Sequence, residues 1–88
     1  MKDKNTYTQS ELLDIMQKYN STGRQIIKTN LQEVKKLYNF GNVDIVKDFG
    51  HKDEKVKSWF NKANPTIPIF EDALGLAVRY GFDISELI

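Results

Sequence analysis

NVDIVKDFGHKDEKVKSWFNK, residues 42–62, is the stretch whose reading decides the fold. Ile45, Val46 and Phe49 recur at helical spacing, and Asn42 is suited to cap a brief helix from Val43 to Phe49. Gly50 then supplies a residue that enters the left-handed backbone region without a side-chain clash, which ends one helix and redirects the chain. A second short helix is expected from Lys52 or Asp53 to Lys62 or Ala63. It buries Val56, Trp59 and in part Phe60, and leaves Lys52, Asp53, Glu54, Lys57, Ser58 and Asn61 on its other faces.

Upstream, residues 1–8 are polar and aperiodic and read as a flexible arm. Leu12, Ile15, Met16 and Tyr19 then mark one face of a helix over 9–20, a stripe that serves either the core or a partner helix. Ser21 or Thr22 is expected to cap the next helix, about Gly23 to Asn39, whose inner face is Ile27, Leu31, Val34 and Tyr38, widened by Ile26 and Leu37. Lys28, Lys35 and Lys36 fall toward its polar side. Downstream, Pro65 and Pro68 require a loop over 64–68. A helix from Ile69 to Tyr80 follows, with Phe70, Ala73, Leu74, Ala77 and Val78 inward and Gly81 as its stop. Asp83 and Glu86 frame a last turn as a capping box.

Eighty-eight residues support one hydrophobic core, and 40% hydrophobic with 28% charged residues is an ordinary globular balance. Cysteine is absent, so no disulfide, thiolate nucleophile or cysteine-based zinc site is available. One histidine, His51, does not make a metal site. Asp48, Asp53 and Glu54 cluster without a nucleophile or cofactor loop beside them, so enzymatic activity, a cofactor and a small-molecule substrate are not expected. No apolar run approaches membrane-spanning length, and the N-terminus leads into no apolar stretch; a cytoplasmic location is expected. The net charge of +1 leaves the distribution of lysines, rather than their total, to mark any polyanion-binding face.

The order of short helix, glycine turn, short helix, loop, helix and closing turn resembles the phage repressor and Cro family of helix-turn-helix proteins. The residues that carry the resemblance are Ile45 to Gly50, Val56 and Trp59, and the closing stretch from Pro68 to Ile88, with Leu31, Val34 and Phe40 in the family's first helix. The resemblance implies an all-α, compact five- to six-helix bundle of the lambda-repressor-like type. It would form one domain over 9–88, with an extra N-terminal helix at 9–20 and the helix-turn-helix unit at 43–62. It implies a DNA-binding transcriptional regulator whose recognition helix, 52–62, lies in the major groove. Lys52, Asp53, Glu54, Lys57 and Ser58 would then face base edges, and Asn42, His51, Lys55, Asn61 and Lys62 would face phosphates. Lys57 suits guanine O6 or N7, and Asp53 and Glu54 suit cytosine N4. Members commonly bind as dimers, and a homodimer or a protein partner through the N-terminal helix is expected here. The other reading is a protein-interaction module on the same scaffold, an antirepressor or an inhibitor of host defence, to which the acidic pair and the near-neutral charge point.

Overall fold

The computed structural model describes residues 6–88. Its elements are α1 (Gln9–Ser21), α2 (Arg24–Leu37), α3 (Asn42–Phe49), α4 (Asp53–Phe60), α5 (Phe70–Tyr80) and a closing 3-10 turn (Ile84–Leu87), with no strand among the described residues. The radius of gyration, 12.5 Å, is close to the roughly 12 Å of a compact chain of this length. The expected all-helical bundle is therefore what the chain forms.

α2 runs through the centre, with Ile27 and Leu31 fully enclosed. It packs on α4 and on the closing turn, α3 packs on α4, and α1 lies against α5. Val56, Trp59, Ile45, Leu76 and Phe82 complete the interior. Gly50 and Gly81 adopt positive φ, 69° and 83°, and their amides close onto Val46 and Ala77, as glycine stops require. The capping box at Asp83 and Glu86 forms as expected.

The helix ends differ from expectation where side chains compete for backbone groups. Thr8, assigned to the arm, caps α1 through a reciprocal bond pair with Glu11, and the Tyr7 hydroxyl donates to Asp83 Oδ1 at 2.6 Å. Of the expected arm, residues 1–5 lie outside the described residues. Ser21 and Thr22 do not cap α2; their hydroxyls donate back to Gln17 O and Lys18 O, and Gly23 stands at the N-cap. Asn42 likewise is the first residue of α3 rather than its cap, because Asp44 takes the Gly41 amide.

Two helices keep much of their expected inner face but differ at its edges. On α5 the buried row is Ala73, Leu76 and Ala77, which leaves Val78, one 100° step beyond Ala77, 66% exposed. On α2, Ile26 and Leu37 are exposed, and Lys28, assigned to the polar side, is buried. The Lys28 ammonium donates to three main-chain carbonyls: Ser58 O at 2.9 Å, Trp59 O at 3.1 Å and Thr66 O at 2.9 Å. No carboxylate pairs with it among the described residues, so the negative end of α4 serves as its counter-charge. Burial holds its pKa below the ordinary lysine value.

α1 uses its stripe inside the molecule. Tyr19 is buried, meets Phe70 edge-on at 5.6 Å and donates its hydroxyl to Pro68 O. Burial first, then nearby Asp72, raises the Tyr19 pKa, and burial together with a hydrogen bond to Asp48 raises that of Tyr80. A phenol whose pKa is raised on folding stabilises the native state fully below its unfolded value of about 10, and that contribution is lost as pH rises further. Lys28, with a lowered value, changes stability in the opposite sense below about pH 10.4 and adds nothing beyond it. The urea midpoint should therefore fall as pH passes 10, and Tyr19→Phe should flatten the decline while costing about 1 kcal/mol at neutral pH. A variant with the same alkaline slope as the parent would contradict this.

Candidate nucleic-acid interface

The outer side of α4 begins at Lys52, the N-cap, and continues through Asp53, Glu54 and Lys57, all exposed. Lys57 Nζ lies 2.9 Å from Asp53 Oδ2, one helical turn away, and that hydrogen bond raises its pKa. This ridge thus presents a cation and an acceptor side by side. Ser58 is half-buried at its edge, with its hydroxyl donating to Lys55 O at 2.6 Å.

α4 ends at Phe60, not at Lys62 as its periodicity predicts. The cause is non-local. Lys28 takes the carbonyls of Ser58 and Trp59, and Gln32 Nε2 donates to Phe60 O at 3.3 Å, so donors from α2 close the helix. Asn61 then forms a turn in which its side chain accepts from the Ala63 amide at 2.9 Å. The segment of α3, the glycine turn and α4 accordingly spans 42–60, and Asn61 and Lys62 belong to the loop.

The residues expected at phosphates fall on two flanks of α4. On the α5 flank, the His51 ring lies 5.9 Å from that of Phe49, nearly parallel, and meets Trp59 edge-on at 5.5 Å. Asp72 stands 3.7 Å from His51 Nε2 and 3.5 Å from Lys55 Nζ, and the Lys55 ammonium also lies 5.7 Å from the Trp59 ring centre. One carboxylate is thus shared by both residues, which makes this flank a brace between α4 and α5 with little positive charge to offer.

The α2 flank is different. Lys35, Lys36 and Lys62 line a groove of about 470 Å³ together with Gln32, Asn39, Phe40 and Phe60. Lys35 Nζ sits 4.2 Å from the Phe60 ring centre and donates to Asn42 Oδ1 at 3.0 Å; burial lowers its pKa. No acidic side chain forms an ion pair with these three lysines among the described residues. Asn42 thereby touches Lys35, which lines the groove with Lys62, whereas His51 and Lys55 lie on the other flank.

Sequence reading missed Lys35 and Lys36 as part of this surface. Two lysines in the last turn of a helix are accounted for by its dipole, and nothing local couples them to Lys62. Among the described residues no His, Cys, Asp and Glu cluster suited to a metal occurs, and no helix is long and apolar enough to cross a membrane. Comparison with family models, with curated proteins and with solved structures finds no match for this chain.

Proposed function

We propose that the domain binds double-stranded DNA as a regulator of the phage repressor type, with the N-terminal half of α4 facing the major groove. The observation that carries this reading is the groove formed by Lys35, Lys36 and Lys62 at the C-terminal end of α4, basic without an ion-paired acid among the described residues. A phosphate strand following that groove would shed its condensed counterions as the three lysines neutralise it, and the ridge would offer Lys52 and Lys57 as donors and Asp53 and Glu54 as acceptors to base edges. Positioning and readout would then be separate tasks of adjoining surfaces.

Binding should fall steeply with salt, by about 0.9 in log K per log unit of salt for each phosphate neutralised. Lys62→Ala should weaken binding to all duplexes alike and reduce the slope by about 1, whereas Lys57→Ala should weaken a sequence selected from a random pool more than mixed duplex. No retention of mixed duplex even at low salt, or an unchanged slope for Lys62→Ala, would defeat the reading.

A protein-binding role on the same scaffold has one observation in its favour. The Asp53–Lys57 pair neutralises the centre of the ridge, where a polyanion gains most from free positive charge. Capture of a basic protein surface, together with absent DNA binding even at low salt, would select it.

A further inference from the structure

We infer that α5 carries a self-association face, so that two copies of the chain pair through antiparallel α5 helices about a two-fold axis. The face is a shallow depression lined by Phe49 at the end of α3 and by Glu71, Leu74, Gly75, Val78 and Arg79 of α5. Its floor is almost wholly apolar, and Val78 stands 66% exposed at its edge, uncovered by any element among the described residues. Gly75 makes the floor low: a β-carbon there would come within 3.2 Å of the Phe49 ring, so the absent side chain lets that ring settle onto α5.

The arrangement of charge identifies the occupant. Glu71 and Arg79 lie eight residues apart, about 12 Å along the helix and slightly more than two turns, at opposite ends of the apolar centre. A helix carrying an acid at one end of its face and a base at the other is complementary to itself when turned end for end. An axis passing near Gly75 sets Glu71 of each copy against Arg79 of the other and closes Leu74 and Val78 between them. Glu71 makes no ion pair among the described residues. Arg79, which lines the depression, is held through Nε by Asp48 at 3.3 Å, and its side chain remains 59% exposed. A heterologous partner would have no reason to match this end-for-end symmetry.

The face lies on α5 and not on α1, where Tyr19 and Ile15 of the stripe pack into the core. The inference is independent of what α4 binds, and its test uses no nucleic acid. Sedimentation of the full chain over a range of concentrations should show a reversible monomer–dimer equilibrium. Val78→Glu should raise the dissociation constant at least about tenfold, and Leu13→Glu on exposed α1 should leave it unchanged. Glu71→Arg and Arg79→Glu should each abolish self-association by placing like charges opposite one another. Mixed in equal amounts, those two variants should form a one-to-one heterodimer, because each then presents one sign of charge to the other. Circular dichroism of each variant checks that it remains folded. A parent that stays monomeric up to about 0.5 mM, a Val78→Glu variant that dimerises as well as the parent, or failure of the folded charge variants to pair would overturn the inference.

Discussion

Replacing Lys28 with methionine lowers the unfolding free energy by about 2–4 kcal/mol, read as a shift in the urea midpoint of Trp59 fluorescence. Methionine preserves most of the volume, so the loss comes from the three carbonyls that the ammonium now satisfies. A hydrogen bond from a charged donor contributes about 1.5–3 kcal/mol, and an acceptor left buried without one costs about 1–3 kcal/mol. Removing the cation also removes its desolvation penalty, which offsets part of the sum and keeps the net effect below three full bonds. The effect has a local signature as well. Backbone amides of α4 and of residues 61–66 should exchange faster than those of α1, because the substitution releases the end of α4 before it disturbs the rest of the core. A midpoint shift worth less than about 0.5 kcal/mol would show that the buried ammonium contributes nothing beyond filling space.

Trp59→Ala should be still more damaging, at about 3–5 kcal/mol. The indole is 1% exposed, supports the His51 ring at its edge and lies beneath the Lys55 ammonium, so the truncation empties the junction of α4 with the turn that precedes it. In a domain of this size a loss of that order is a large fraction of the total stability of about 5–15 kcal/mol. Circular dichroism melts should show either a transition lowered by tens of degrees or no cooperative transition at all. Trp59→Phe should retain a cooperative fold, and DNA binding by that variant would separate the packing role of the residue from any contact with the partner. A Trp59→Ala variant as stable as the parent would mean that α4 is not held where the structure places it.

The parts of the fold that were legible in the sequence are those governed by neighbours in the chain. Helical periodicity located all five helices; Gly50, Gly81 and the Asp83–Glu86 box marked their stops and the final turn; Val56 and Trp59 were recognisable as interior because they share one helical face. What escaped was decided at a distance. Lys28 interrupts an otherwise apolar face, and only the carbonyls of residues thirty and more positions away explain why a charge is stable there. The same interaction shortened α4 and moved Asn61 and Lys62 into the loop. Val78 was misplaced because periodicity defines an apolar arc without fixing which edge of it another helix covers. The candidate site divides in the same way. The exposed ridge of α4 followed from local pattern, while the lysine groove needed α2 and the loop after α4 to meet across 27 residues, from Lys35 to Lys62.

The anchoring of Thr66 gives the loop after α4 an uneven tolerance of change. Its near side turns on Asn61 and its far side on Asn64, each closing its own short ring, while the carbonyl of Thr66 is fastened to the interior by Lys28. Length added between those two asparagines opens the turn that the Ala63 and Asn64 amides close on Asn61, yet leaves the Thr66 carbonyl on the Lys28 ammonium. A residue inserted after Thr66 instead drags a moored point, and the strain passes through one ammonium to the tail of the helix proposed to face the duplex.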